Sequence, residues 1–369
     1  MAPALSDTLQ QAVRDGVFPG AALLVQEGDA IRYCDATGSA ALLPAPEPMR
    51  RETLFDLASL TKPLATATVA LRLIALGRLA LDHPVARWLP EFRGDGKERV
   101  TLYHLLNHSS GLPAWKPYYK AIDPNEAGNA AVKERLLNQI AGEPLVAPPG
   151  QRSVYSDLGF ILLGTLIERV AGRPLDRLCR EEIFLPLSMA ATGFRPLEQP
   201  ELAGRSIAAT ERCPWRGRVL RGDVHDEHGF ALGGVSGHAG LFAPVDDVAR
   251  YVGALIAAEG GRPRGPFDGV PTALLRQFLT RQPTPGSSWA LGWDTPSERS
   301  SAGRFFSANS CGHLGYTGTS VWIDRDRGWG VTLLTNRVHP TRQNVKIGAF
   351  RPMIHDLVAR AFFPGVPAA

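Results

Sequence analysis

Ser59 and Lys62 stand three residues apart in Phe55-Asp56-Leu57-Ala58-Ser59-Leu60-Thr61-Lys62. On a helix, positions i and i+3 share a face, with Cβ atoms about 5–6 Å apart. A serine hydroxyl becomes a nucleophile when a neighbouring base takes its proton. An amine can be that base when burial or nearby positive charge lowers its pKa. A helix N-terminus adds a field that favours developing negative charge. Pro63 suits a first helical turn, where its missing N–H is not needed. Taken alone, the pair is also what a helix cap followed by a solvated lysine would give.

Two further segments carry matching chemistry. Tyr155-Ser156-Asp157 opens a helix after the Pro- and Gly-rich stretch 144–150. It offers a phenol that can share a proton with an amine and a carboxylate that can hold that amine. Gly312-His313-Leu314-Gly315-Tyr316-Thr317-Gly318 offers a basic side chain on a strand whose glycines let a ligand approach the backbone. An ordinary helix start and an ordinary sheet strand would have the same sequences.

The remaining histidines and arginines divide. His225-Asp226-Glu227-His228 lacks the H-E-x-x-H spacing of zinc proteases and shows no helical pattern, so no metal is expected there. His104 and His108 are four apart, but Leu105 stands where a catalytic Glu is needed, so both read as structural. His238, between Gly237 and Gly240, reads either as a substrate contact at a pocket mouth or as loop scaffolding. Arg337 and Arg342 follow the last strand; each is either a fork for a substrate carboxylate or a solvated end of the sheet. There is no G-x-S-x-G elbow, no phosphate-binding G-x-x-x-x-G-K-[ST] loop and no dinucleotide-loop context. No cofactor is expected.

These residues need positioning elements. Leu5, Leu9 and Val13 recur at helical spacing over 4–15, and Gly16 stops the pattern. Residues 20–38 read as two strands broken at Glu27-Gly28-Asp29. From Ser59 to about Arg180 the pattern is mainly helical, with helices from Ser59 to Leu76, over 101–106 and over 158–170. His313 to Ile323 and Trp329 to Thr335 read as two adjacent antiparallel strands around the turn 324–328. Residues 344–362 read as a closing helix with Pro352 inside.

Composition narrows the class. At 369 residues a sizeable core is affordable in one large or two intimate domains. With 40 basic and 36 acidic residues the charge is too even for a nucleic-acid partner. Cys34, Cys179, Cys213 and Cys311 form no C-x-x-C pair, and reduced thiols in a cytoplasmic protein are expected. No signal-peptide pattern and no run of about 18 apolar residues is visible, so no membrane span is expected.

Several stretches together carry a family resemblance: Leu-Phe-Asp-Leu-Ala-Ser-Leu-Thr-Lys (54–62), Thr-Leu-Tyr-His-Leu-Leu-Asn-His-Ser-Ser-Gly-Leu-Pro (101–113), Tyr-Ser-Asp-Leu-Gly-Phe-Ile-Leu-Leu-Gly (155–164), Gly-His-Ala-Gly-Leu-Phe (237–242), Leu-Gly-Trp (291–293) and Gly-His-Leu-Gly-Tyr-Thr-Gly-Thr (312–319). In this order, over nearly the whole chain, they resemble the serine β-lactamase and penicillin-recognising superfamily. The likeness is to its class C-like branch, with family VIII esterases, DD-peptidases and muropeptide amidases. The resemblance implies an α+β, β-lactamase-like fold: an antiparallel sheet flanked by N- and C-terminal helices, with a mainly helical region inserted. The expected division is 1–58 with 232–369 as the body and 59–231 as the insert, the active site lying between.

The resemblance also implies roles. Ser59 is the acylated nucleophile, Lys62 is the base or holds it, and Tyr155 relays the proton and later activates water. His313 to Gly315 occupies the third-motif position, with Tyr316-Thr317-Gly318 as the other register. The N–H groups of Ser59 and Tyr316 form the oxyanion hole. Two departures stand out. Asp157 replaces a commoner asparagine, which would raise the pKa of Lys62 and move part of the base role to Tyr155. His313 replaces a lysine and is mostly neutral near pH 7, which leans the substrate away from β-lactams, whose carboxylate the lysine attracts. The implied function is acyl-enzyme hydrolysis of small ester, amide or muropeptide-like substrates. Residues 210–217 and 224–227 resemble the muropeptide-amidase-like members. A weak β-lactamase or DD-peptidase is the second reading. A non-catalytic penicillin-binding-type protein is the third, disfavoured by intact Ser59, Lys62 and Tyr155.

Overall fold

A computed structural model describes residues 2–298 and 300–366, so the outermost limits of the expected body, 1 and 369, lie outside the described residues. Helix α1 (Ala2–Arg14) buries Leu5, Leu9 and Ala12. Strands β1 (Gly20–Glu27) and β2 (Ala30–Ala41) form the expected hairpin. The short β3 (Glu47–Pro48) and β4 (Phe55–Asp56) follow.

The helical middle holds α2 (Thr68–Ala75), α3 (Leu102–Leu106), α4 (Ala130–Gly142), α5 (Asp157–Ala171) and α6 (Leu175–Cys179). Gly172 ends α5 at φ 68°, a left-handed cap that glycine adopts without strain. Three short strands, β5 (Gly193–Phe194), β6 (Arg212–Cys213) and β7 (Arg218–Val219), precede α7 (Glu227–Ala231), β8 (Leu241–Ala243), α8 (Val245–Glu259) and α9 (Thr272–Leu279). The chain closes with β9 (Cys311–Leu314), β10 (Ser320–Asp324), β11 (Trp329–Thr335) and α10 (Ile347–Phe362), which contains Pro352.

The main sheet has six strands in the order β3-β2-β1-β11-β10-β9, and every pairing is antiparallel. The first and last parts of the chain therefore meet at the β1–β11 seam, with Leu23 opposite Leu333. Strand periodicity of two assigns the faces. Leu23, Val25, Val331 and Leu333 pack beneath α1 and α10 with Ile354 and Val358. Ala22, Leu24, Val321 and Ile323 join the larger core with Val248 and Val252 of α8. Burying each such aliphatic side chain contributes about 1.5–3 kcal/mol.

Two local expectations are corrected. The stretch from His313 to Ile323 is two strands, β9 and β10, joined by a turn, with Ser320 opposite Leu314. Gly318 takes φ 111° in that turn, a conformation its strand-favouring neighbours Tyr316, Thr317 and Thr319 disguise. The helix expected from Ser59 is also irregular. Ala58–Leu60 is a 3₁₀ turn, Lys62–Ala67 is wound as a wider π turn, and regular α2 begins at Thr68. Such wide turns often mark functional positions. Among the described residues, no helix is long and apolar enough to cross a membrane.

Candidate active site

Ser59 is held in a strained turn. Its neighbour Ala58 takes φ 48°, and the Ala58 N–H donates to Asp56 Oδ1 at 2.8 Å. A non-glycine residue there costs on the order of 1–3 kcal/mol, which the surrounding bonds must offset. Lys62 follows on the same face. Its Nζ donates to Ser59 Oγ at 2.9 Å, to Asp157 Oδ1 at 2.7 Å and to the His238 carbonyl at 3.3 Å. The lysine side chain is fully buried, whereas Asp157 is about one-fifth exposed. Burial alone would push the amine's pKa down; the Asp157 carboxylate and the Tyr155 phenol outweigh it, and the net shift is upward. The resting pair is an ammonium–carboxylate pair with serine as a further acceptor.

Asp157 and Tyr155 are placed by the start of α5. Ser156 caps that helix, its Oγ accepting the Gly159 N–H at 3.1 Å. The Asp157 N–H donates to the Ala114 carbonyl at 2.9 Å. Tyr155 stacks on Trp289 with ring centroids 5.1 Å apart and packs against His108 at 4.6 Å. His108 Nδ1 accepts the Ser156 N–H at 3.1 Å, so His108 scaffolds this segment, as its spacing suggested. Lys62 Nζ lies 4.8 Å from the Tyr155 ring centroid. Burial raises the phenol's pKa, and Lys62 only partly counteracts it.

The third wall is β9 and the turn after it. His313 is buried, and its Nδ1 lies 2.8 Å from the Leu314 carbonyl. A carbonyl only accepts, so Nδ1 carries the proton, and Nε2 has no hydrogen-bond partner among the described residues. Burial, helped by Lys62, drives the imidazole's pKa down to about 3, so the ring is neutral near pH 7. A Cβ on Gly315 would overlap Thr319 Oγ1 and come within 2.5 Å of the Leu57 carbonyl, so this close strand-to-turn approach requires glycine. His313 thus lies on the strand, while Tyr316 to Gly318 form the turn. Thr317 Oγ1 donates to the Asp56 carbonyl at 2.7 Å and Thr319 Oγ1 to the Leu57 carbonyl at 3.1 Å. These two bonds staple the turn carrying Tyr316 to the turn carrying Ser59.

A cavity of about 630 Å³ opens over these groups, lined by Ser59, Tyr155, Asp157, Trp289, His313 and Tyr316 among others. It meets the size of a small-molecule site. Arg337 and Arg342 reach its wall, but neither is the solvated end of a sheet, and Arg342 is not a free fork. Arg342 pairs with Glu211 and, at 2.7 Å, with Glu227. Arg337 Nε donates to the Tyr316 carbonyl at 2.8 Å, Nη1 donates to the carbonyls of Arg342 and Asn344, and the guanidinium lies over the Tyr316 ring.

His238 is also corrected as a substrate contact. It is buried, and both ring nitrogens are used: Nδ1 is 2.8 Å from Ser236 Oγ, and Nε2 is 2.7 Å from Asp226 Oδ1. Its role is to hold the carbonyl that Lys62 contacts. Residues 227–231 form a short helix capped by Asp226, a pattern too brief to see in sequence. Among the described residues, no group of His, Cys, Asp and Glu is arranged to hold a metal ion. Sequence reasoning missed Trp289 and Arg351 and read Asp226 only as part of the 225–228 motif. Each lies far along the chain from Ser59; Trp289 has a cue two residues before the Leu291-Gly292-Trp293 stretch, and Arg351 has none.

Comparison with known proteins places the chain in a family. The beta-lactamase family model matches residues 5–350. The chain is 35% identical over 351 residues to an N-acetylmuramyl-L-alanine amidase of Bacillus subtilis (strain 168), covering 87% of this chain and 78% of that protein. It is 33% identical over 353 residues to a putative D-alanyl-D-alanine carboxypeptidase of Escherichia coli (strain K12), covering 87% and 79%. Among solved structures, simvastatin synthase of Aspergillus terreus superimposes with a TM-score of 0.75 at 20% identity, covering 98% of this chain and 99% of that one. EstCE1, a hydrolase with promiscuous acyltransferase activity, superimposes with a TM-score of 0.71 at 23% identity, covering 95% and 98%. The chain belongs to the beta-lactamase family, as a serine hydrolase of that fold.

Proposed function

We propose that Ser59 attacks the carbonyl carbon of an ester or amide and becomes acylated. The carrying observation is Lys62 Nζ held between Ser59 Oγ and Asp157 Oδ1 at 2.9 and 2.7 Å. The resting lysine is an ammonium ion, so the reactive state is the one in which Lys62 and Tyr155 together have lost one proton. In that state the Ser59 Oγ–H proton passes to the pair as the Oγ–C bond forms. Tyr155 then hands a proton to the departing alcohol or amine. In the second half, water gives its proton to the same pair and attacks the acyl carbon, and Ser59 regains its hydrogen. The N–H groups of Ser59 and Tyr316 bind the oxyanion, each such donor being worth about 10²–10³ in rate.

The preferred substrates are small esters, amides or muropeptide-like amides. A neutral His313 offers no fixed cation to a β-lactam carboxylate, and the amidase and carboxypeptidase relatives make a cell-wall fragment the leading amide. The names of the carboxypeptidase relatives keep weak DD-peptidase or β-lactamase action as a second reading. The site lies between a body of 1–58 with 232–369 and an insert of 59–231, and the four unpaired cysteines suit a reducing, cytoplasmic setting. A panel of p-nitrophenyl esters, muropeptides, D-alanyl-D-alanine peptides and nitrocefin tests the ranking. Ester or muropeptide turnover exceeding nitrocefin turnover is expected; nitrocefin as the fastest substrate would overturn it.

A further inference from the structure

Arg351, on the second turn of α10, is one of the residues that line the cavity over Ser59. Its side chain is nearly buried, and among the described residues it makes no salt bridge. An unpaired guanidinium in a protein interior is costly, so its partners matter. Both are backbone carbonyls of one turn: Nη2 donates to Gly315 C=O at 2.9 Å and to Thr319 C=O at 2.8 Å. The Thr319 carbonyl also accepts the Gly315 N–H at 2.8 Å, which closes the turn around Tyr316.

Gly315 C=O and Tyr316 N–H belong to the same peptide unit. A cation bonded to the oxygen of an amide draws electron density along the O–C–N system and makes its N–H a stronger donor. Chains of hydrogen bonds polarise one another in this way, and charge-assisted bonds do so most. We propose that Arg351 is a positioning residue for the oxyanion hole, orienting and polarising the peptide whose N–H, from Tyr316, faces the oxyanion. Burial, with Arg337 nearby, lowers the guanidinium's pKa to about 9, which leaves it cationic at neutral pH. The inference rests on the reading of Ser59 as nucleophile and Tyr316 N–H as oxyanion donor.

The test compares wild type, Arg351→Met, Arg351→Lys and Ser59→Ala, with p-nitrophenyl acetate as substrate and phenylboronic acid as the tetrahedral mimic. Neither probe carries a carboxylate, so loss of a substrate ion pair cannot produce the effect. For Arg351→Met, kcat/KM and boronate affinity should fall together, on the order of 10-fold, with KM little changed; this is less than deleting a whole donor. Arg351→Lys should recover part of both. Boronate affinity within about twofold of wild type in Arg351→Met would overturn the inference. If Arg351→Met does not fold, Arg351→Lys decides: an intermediate loss of boronate affinity at unchanged KM supports the inference, and full affinity overturns it. Boronate binding equal in wild type and Ser59→Ala would instead overturn the underlying Ser59 reading, and the inference with it.

Discussion

Lys62 Nζ sits 2.7 Å from Asp157 Oδ1, a buried ammonium against a carboxylate on the first turn of α5. The carboxylate favours the protonated amine, which is the wrong state for a base. Activity should therefore rise as pH increases into the alkaline range. Asp157→Asn removes that carboxylate, so the acid limb of kcat/KM should move to lower pH by about 1–3 units. A pH–rate profile with p-nitrophenyl acetate checks this, and a limb unmoved by the substitution would show that Asp157 does not set it.

Tyr155 is fixed by Trp289 and His108 and lies beside Lys62. Tyr155→Phe keeps those ring contacts and removes only the hydroxyl. The expected result is a fall in kcat of about 10²–10⁴ with KM changed little, as for loss of a general acid–base group. Stopped-flow release of p-nitrophenol resolves which half-reaction slows. Wild-type rates in both halves would remove Tyr155 from the proton path.

His313 protonates only near pH 3, so it gives no positive charge to a β-lactam carboxylate in the working range. Labelled penicillin should acylate the wild type slowly. His313→Lys restores a cation, and acylation should quicken about tenfold, equivalent to about 1.4 kcal/mol. Gel fluorescence over time measures this. Equal rates in both proteins would mean that the neutral imidazole is not what disfavours β-lactams.

Glu211 links the site's outer wall to stability. Burial raises its pKa, but the bonds and charges of His225 and Arg342 overcome this and hold it down at about 2. A depressed carboxylate stabilises the folded state above its ordinary pKa of 4.5, and that contribution is lost as pH falls from about 4.5 to about 2. Glu211→Gln should lower stability by about 1–3 kcal/mol at pH 7. The melting curves of the two proteins should converge towards pH 2. A gap that persists at acid pH would assign the loss to packing instead.

Local spacing made part of this legible. The three-residue step from Ser59 to Lys62 brings their side chains together on any helical turn, and Gly16, Gly172 and the 27–29 break delimit their elements through backbone chemistry. Long-range partners were not legible. His238 looked free because Asp226, which takes its Nε2, sits in a segment with no visible helix. Arg342 looked available because nothing near it in sequence shows that Glu211 and Glu227 converge on it. The turn between β9 and β10 was hidden because Tyr316, Thr317 and Thr319 are strand formers, and only Gly318 shows the bend.

Acyl transfer by this protein requires Ser59 as its nucleophile. A fluorophosphonate probe should label the native chain at one site, mapped to Ser59 by peptide mass spectrometry, and should leave Ser59→Ala unlabelled. Equal labelling of the two proteins would contradict it.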